Sequence, residues 1–249
     1  RWLTQKDHPL TARVFVNRIW KHHYGHGLVR TLDNFGKAGM RPSHPQLLDW
    51  LAVEFMRRDW SIKEMHRLMM LSRTYQQSSQ VDESLLGQDI ANDLFSRMPM
   101  RRMEGEVLRD SLLALSGRLN ERPYGPADNV NASDDGLVDS MGQKDTWRRT
   151  IYVLSRRTTP LTILDNFDVP QMNPNCIDRG ASIVAPQALH LLNNHRVHEL
   201  SRFFAERIRR EAGVNPLDQI KRIYWLAVGR APNANELRIA SQGYETLKR

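Results

Sequence analysis

Apolar residues recur every three or four positions along most of the chain, which is the spacing of amphipathic helices. The first such pattern runs over 11–23, and Gly25 and Gly27 then end the predicted helix. Patterns of the same kind predict further helices over 43–56, 61–71, 103–116, 161–167, 186–192, 197–210, 216–228 and after Asn233. The chain is therefore predicted to be mainly α-helical.

Polar residues mark where several of these helices begin. The segments 43–46 and 61–64 both start with Ser and end with Gln or Glu, which is the spacing of a capping box. Asn215 precedes Pro216, and this pair is typical of an N-cap followed by the first helical residue. These signals predict side-chain caps at Ser43, Ser61 and Asn215.

Two segments depart from the helical pattern. Residues 150–154 (TIYVL) are β-branched, aromatic or aliphatic, and they predict a short strand. Residues 119–145 are rich in Gly, Pro, Asn and Asp, and they predict a loop or linker. The predicted fold is a mainly α multi-helix domain, either in one piece or as two packed helical halves, 1–118 and 146–249, with a minor β element near 150–155.

The excess of basic residues is divided between the two ends of the chain. The sequence has 36 Lys and Arg against 28 Asp and Glu, which gives a net charge of +8. Residues 1–75 hold 13 basic and 6 acidic residues, 76–145 hold 7 and 13, and 146–249 hold 16 and 9. Because an acidic segment separates two arginine-rich ones, the pattern favours internal ion pairs and argues against nucleic acid as a partner.

Composition and motifs exclude several classes of protein. No apolar run approaches the ~20 residues of a membrane-spanning helix. The single cysteine, Cys176, excludes an intrachain disulfide, a cysteine-based zinc cluster and a CxxCH haem attachment. The sequence contains no P-loop, GxGxxG, GxSxG or HExxH motif. It begins at Arg1, so we expect it to be a piece of a longer protein.

The first helix carries polar residues that need partners. Asn17 and Arg18 lie among apolar neighbours, and a buried polar group must be hydrogen-bonded or paired. A network that joins helices would satisfy them, and the alternative is a pocket wall shared with His23. His22, His23 and His26 form an HHxxH cluster, but Gly25 interrupts the helix that would align them, so no metal site is predicted.

The densest charged stretch of the sequence lies at the start of the helix predicted over 103–116. Many of its side chains are three or four residues apart, and neighbouring arginines lower the pKa of a carboxyl group, so ion pairing is favoured over an acid–base dyad. Its members are Arg101, Arg102, Glu104, Glu106, Arg109 and Asp110.

The arginine pairs 148–149 and 156–157 bracket the predicted strand, whose alternation would send the two members of each pair to opposite faces. Phosphate, sulfate or a carboxylated glycan would suit these arginines.

Several long segments resemble one family. HPLTARVFVNRIWKHHYGHGLV at 8–29 resembles the start of the PSD domain of planctomycetes and related bacteria. His26 and Gly105 depart from the Arg and Ala usual in that family. Further segments resemble the same domain, in order, at 33–79, 100–119, 147–157, 184–199 and 222–237.

The resemblance implies a context and no established reaction. Residues 1–249 would form most of one PSD-like domain, which in family members follows another domain of unknown function in a large exported protein. The expected location is therefore periplasmic or extracellular, and the expected partners are upstream domains of the same parent chain. Those proteins often carry a cytochrome-c-like domain, so we expect no cofactor in this chain and any haem in a separate domain.

Three functional hypotheses remain open on this basis. The leading one is a structural or interaction module that packs against upstream domains. The second is an enzyme or ligand-binding module for an anionic polysaccharide-like substrate, and the third is nucleic-acid binding through a basic surface. No residue is assigned a catalytic role, and the candidate pocket residues of the second hypothesis are Asn17, Arg18, His23, Arg101, Arg102, Glu104, Glu106, Arg109 and Asp110.

Overall fold

The computed structural model describes residues 2–5, 8–80, 87–140, 147–170, 176 and 178–247. These residues form two compact units, 1–102 and 103–249. The first unit contains a 3₁₀ turn at Trp2–Thr4 and the helices α1 (Thr11–Tyr24), α2 (Pro45–Arg57), α3 (Ile62–Met70) and α4 (Arg73–Gln76). The mainly α prediction is confirmed here, with bounds close to those that the sequence pattern predicts.

The second unit contains most of the longer helices and a small sheet. Its elements are α5 (Gly105–Leu115), β1 (Val130–Ala132), β2 (Val138–Ser140), a 3₁₀ turn (Thr150–Tyr152), α6 (Thr162–Asn166), α7 (Ala185–Asn193), α8 (His195–Ala212), α9 (Pro216–Val228) and α10 (Ala234–Leu247). Consecutive helices from α6 to α10 contact one another, and α5 contacts both α6 and α8. No helix among the described residues is long and apolar enough to cross a membrane.

Among its described residues, the first unit has one apolar core cluster, around α1. This helix contacts both α2 and α3, and its buried side chains meet theirs. Val16 and Met65 have no exposed surface, and Phe55 is 2 % exposed and stacks on Phe15 at a ring-centroid distance of 5.0 Å. Burial of the apolar faces that the sequence pattern predicts therefore stabilises this unit.

The second unit has smaller apolar clusters. One contains Val138, Leu161, Ile163 and Phe167, and the other contains Leu113, Trp147 and Leu200. The sequence pattern predicts helical halves that are divided at 118 and 146, whereas the units divide after residue 102. Helix α5 and the described part of segment 119–145 therefore lie in the second unit.

The minor β element is confirmed, but its predicted place is wrong. The sheet is an antiparallel hairpin within the predicted loop, with Val130 opposite Ser140 and Ala132 opposite Val138. Residues 150–152 form the 3₁₀ turn, because Asp110 accepts hydrogen bonds from both the backbone N–H and the hydroxyl of Thr150. In the predicted strand only Val153 joins a bridge, an isolated one.

Two of the three predicted caps are confirmed. The hydroxyl of Ser61 accepts from the backbone N–H of Glu64 at 3.4 Å, and the Asn215 side chain accepts from the N–H of Leu217 at 3.1 Å. The predicted cap at Ser43 is wrong, because its hydroxyl donates to the carbonyl of Leu28 and α2 starts at Pro45 without a side-chain cap.

Candidate functional site

Asn17 holds a loop of the first unit in place. Its Nδ2 donates to the carbonyl oxygen of Val29 at 2.9 Å, and its Oδ1 accepts from the N–H of Val29 at the same distance. A Cβ at Gly27 would lie 2.7 Å from Asn17 Nδ2, so only glycine fits beside this amide without a shift. Asn17 is 1 % exposed whereas its neighbour Arg18 is exposed, so the two side chains lie on different faces of α1.

His23 joins the end of α1 to α3. Its Nε2 lies 2.8 Å from Nδ1 of His66, so one ring donates a hydrogen bond to the other. The edge of Tyr75 packs on the His23 ring at a centroid distance of 5.4 Å. Burial lowers the pKa of His23 from the ordinary 6.5, and the charges of His66 and Arg101 lower it further. Arg101 itself donates to the carbonyl of His22 at 2.9 Å.

In the second unit, Arg109 and Asp110 bind the 3₁₀ turn and β2 to α5. The buried Arg109 guanidinium donates to the carbonyl of Arg148 at 3.0 Å, to the hydroxyl of Thr150 at 3.2 Å and to that of Ser140 at 2.9 Å. Burial lowers the pKa of Arg109, and the charge of Asp110 opposes this effect. These contacts give both side chains a structural role.

Glu104 and Glu106 share a partner that lies 73 residues from Glu106 in sequence. A guanidinium nitrogen of Arg179 lies 2.7 Å from the carboxylate of Glu106 and 3.5 Å from that of Glu104. The same guanidinium donates to the carbonyls of Phe167 and Asp168. Arg179 therefore ties the segment after α6 to the start of α5. Arg102, another of the predicted candidates, is half-buried.

Beside α5, the second unit has a cleft made of two adjoining cavities. The first has a volume of about 1000 Å³ and the second of about 790 Å³. The first lies among α5, the segment 149–161 and the segment that follows α6. The two share the lining residues Ser155, Arg157, Pro160, Val169, Pro170 and Cys176, and together they form what we call the α5 cleft.

The first cavity is lined mainly by aliphatic side chains. Leu161 is buried at its base, whereas Val107 is 49 % exposed and Ile151 is 80 % exposed. When a ligand covers exposed aliphatic surface of this kind, the free energy of the system falls. The cleft therefore has the hydrophobic lining that is typical of binding sites for organic molecules.

Three arginines line the α5 cleft and keep much of their surface accessible. The side chain of Arg149 is 63 % exposed and its Nε lies 3.5 Å from Asp110. Arg156 and Arg157 are exposed, and within the described ranges no carboxylate forms an ion pair with either. These two guanidinium groups are available to an external anion.

The arginine pairs only partly follow the strand-like alternation that the sequence predicts. Arg148 is buried and its Nε donates to Asp128 at 2.7 Å, while Arg149 lines the cleft, so this pair does face opposite ways. Arg156 and Arg157 both line the second cavity, because no strand continues through them.

A smaller cavity with both polar and apolar lining lies between α5, β2, α7 and α8. It holds about 30 Å³ and is lined by Arg109, Asp139 and His190 among others. Burial raises the pKa of Asp139 and lowers that of His190. Such a volume admits one water-sized molecule and excludes an organic ligand, so this cluster is not the candidate binding site.

Sequence reasoning did not identify the residues that complete the cleft. Thr150 and Arg179 were missed as partners of α5, because their contacts join positions far apart in the chain. Among the residues described, no group of three or more His, Cys, Asp or Glu side chains is placed to hold a metal ion.

The structure thus defines a mainly helical protein with an apolar cleft bordered by arginines. The family model described as PSD1, protein of unknown function (DUF1553), matches residues 1–244. The chain belongs to this family, as the resemblance predicts. Searches of curated proteins and of solved structures gave no match.

Proposed function

We propose that the second unit binds an anionic organic ligand in the α5 cleft. The observation that carries this proposal is the position of Arg157 at a largely aliphatic cavity, with Arg156 in the adjoining one and no carboxylate paired with either among the described residues. A guanidinium can donate two parallel hydrogen bonds to a carboxylate, phosphate or sulfate, which gives both affinity and orientation.

The other arginines around α5 are less suited to this role. Arg109 is buried, and its hydrogen bonds to Ser140, Thr150 and the carbonyl of Arg148 hold β2 and the 3₁₀ turn against α5. Arg179 is engaged with Glu106 and with two backbone carbonyls. Removing either would disturb the protein itself, so the binding role falls to the exposed arginines 149, 156 and 157.

The single cysteine offers a direct test. Cys176 is exposed and lines both cavities, so a bound ligand should slow its labelling by a maleimide. We would titrate the chain with decanoate, with an acidic oligosaccharide and with inorganic phosphate. At least one of the three should protect Cys176, and if none does the proposal is wrong.

Charge-removing variants locate the binding site. Arg157→Gln should weaken binding of the protecting anion by about tenfold or more, because a hydrogen-bonded charge is lost. Arg202→Gln is the matched control, since Arg202 is exposed on α8 outside the cleft. Equal affinity of both variants would contradict the proposal.

The interaction-module hypothesis is a second candidate, supported by the apolar surface of α9 and α10. Trp225 is 55 % exposed, Ile239 is 55 % exposed and Leu247 is 90 % exposed, and no side chain of α10 is buried. We propose an upstream domain of the parent protein as the occupant, on the strength of the family resemblance. Co-expressed with that domain, the chain should co-purify with it, and Trp225→Gln should weaken the association.

The remaining predictions about context stay proposals. Export of the parent protein is tested by fractionating cells that express it with an epitope tag.

Nucleic-acid binding is the least supported function, because arginines such as Arg148, Arg207 and Arg230 are held in ion pairs. A DNA titration at low salt, where counterion release is strongest, tests it. The absence of a cofactor from this chain also stays a prediction.

A further inference from the structure

The first cavity of the α5 cleft offers few polar groups to a ligand rich in hydroxyls. Glu106 is bound by Arg179, and the carboxylate of Asp110 and the hydroxyl of Thr150 are hydrogen-bonded to each other at 2.6 Å. Of the remaining side chains that line it, Ser111, Ser155, Cys176 and the two arginines Arg149 and Arg157 carry polar groups. A sugar ring would bury several hydroxyls here without partners, and each unpaired group has a cost.

The aliphatic surface of the same cavity favours a different occupant. Val107 on α5 and Ile151 on the 3₁₀ turn are both exposed, and both line the cavity above the buried Leu161. None of the lining residues of either cavity is aromatic, so the stacking platform on which sugar rings often rest is absent from the described lining. The cavity therefore suits an alkyl or other apolar body.

The charged end of the cleft lies where the two cavities join. Arg157 lines both cavities and Arg156 lines the second. Asp165 and Asp168 also line the second cavity, but Ser182 donates to both carboxylate oxygens of Asp168 at 2.8 Å. The carboxylates of Asp165 and Asp168 offset part of the positive charge, which favours a ligand with one anionic group over a polyanion.

From these observations we infer that the ligand of the α5 cleft is an anionic amphiphile. Its carboxylate, sulfate or phosphate group binds Arg157 and Arg156, and its apolar body covers Val107 and Ile151 in the first cavity. This inference rests on the proposed function and narrows it, because it separates an alkyl or acyl anion from the acidic saccharide of the sequence-based hypothesis.

A chain-length series tests the inference. Affinities of hexanoate, octanoate and decanoate are measured by calorimetry and by protection of Cys176, at concentrations below micelle formation. Each added methylene should tighten binding by about fourfold, the value for full burial of a CH₂ group. Decanol, which lacks the charge, and an acidic oligosaccharide, which lacks the apolar body, should each bind at least about tenfold more weakly than decanoate.

Two variants with matched controls show whether both ends of the ligand bind as inferred. Ile151→Ser should reduce the gain per methylene, whereas Ile183→Ser should not, since Ile183 is 93 % exposed and lines neither cavity. Arg157→Gln should weaken binding of every carboxylate by a similar factor and leave the gain per methylene intact. Arg202→Gln again serves as the control for charge.

The outcomes separate the inference from the proposed function. If the acidic oligosaccharide protects Cys176 as well as decanoate does and chain length has no effect, the inference is overturned while the proposed function stands. If no anion protects Cys176, both are overturned. A chain-length effect that Ile151→Ser does not reduce would place the alkyl chain elsewhere and would also overturn the inference.

Discussion

The two units of this protein are stabilised in different ways. In the first unit one apolar cluster surrounds α1, and its buried polar contacts, such as that of Asn17, fix single loops. In the second unit the apolar clusters are small, and buried charged groups such as Arg109 and the Arg148–Asp128 pair join segments distant in sequence. The α5 cleft lies in the unit that depends on polar contacts.

This difference has a physical reason. A continuous apolar cluster fills its own interior and leaves little room for a ligand. Where charged side chains tie irregular segments to a helix, walls of loop and helix can enclose a cavity whose arginines stay accessible. The comparison is tested most directly by removing one key side chain from each unit.

The largest effect is expected in the apolar core of the first unit. Phe55→Ala removes a ring that is 2 % exposed and packs against Phe15 and Trp60, and large-to-small changes of this kind cost about 3–5 kcal/mol. The loss would be measured by urea unfolding and by hydrogen exchange of the amides in α1 to α3. Val53→Ala, on the exposed side of α2, should cost less than about 1 kcal/mol; a similar cost for both would contradict a core centred on α1.

A smaller effect is expected when a buried charge is removed from the second unit. Arg109→Met leaves the carbonyl of Arg148 and the hydroxyl of Ser140 without this donor, and should lower the free energy of unfolding by about 3 kcal/mol. Faster hydrogen exchange should appear in β2 and around the 3₁₀ turn. If Arg109→Met is as stable as the exposed control Arg202→Met, the unit does not depend on this network.

A single polar contact in the first unit should matter less than either change. Asn17→Ala leaves the buried N–H and carbonyl of Val29 without their side-chain partner, which should cost about 2 kcal/mol. Arg18→Ala, the exposed neighbour on the same helix, should change stability by less than about 0.5 kcal/mol. Equal costs would show that the loop around Gly27 does not need the amide.

In both units the sequence predicts local elements better than it predicts contacts between distant segments. Local signals sufficed for most helices, because apolar spacing and caps such as Ser61 and Asn215 act within one or two turns. They failed where a distant group decides the local structure. Thr150 donates hydrogen bonds to the carboxylate of Asp110, and a 3₁₀ turn forms where a strand is predicted at 150–154. The hydroxyl of Ser43 donates to the carbonyl of Leu28 and therefore does not cap α2.

The candidate pocket shows the same limit. The charged stretch 101–110 is correctly expected to form ion pairs, but Glu106 pairs with Arg179, which no local spacing indicates. The arginines 149, 156 and 157 are conspicuous in the sequence, which predicts phosphate, sulfate or a carboxylated glycan as their ligand. Only the fold shows that they share a cleft with exposed aliphatic side chains.

The smallest effect concerns the pH dependence of the first unit. Burial, followed by the charges of His66 and Arg101, lowers the pKa of His23 below the ordinary 6.5. Between the ordinary and the lowered pKa the unfolded chain binds more protons at this residue than the folded chain does. The contribution of His23 to stability is therefore present above about pH 6.5 and is lost as the pH falls toward its lowered value.

Urea unfolding of the first unit, followed by hydrogen exchange in α1 and α3, should show this loss between about pH 7.5 and about pH 5.5. In His23→Gln the pH dependence should be shallower, because no proton is taken up at this position on unfolding. His198→Gln, an exposed histidine on α8, should leave it unchanged. An unaltered slope in His23→Gln would mean that other groups set the acid sensitivity of α1. A pH effect of the predicted sign would show that one titratable polar contact contributes to the stability of a unit that otherwise depends on its apolar core.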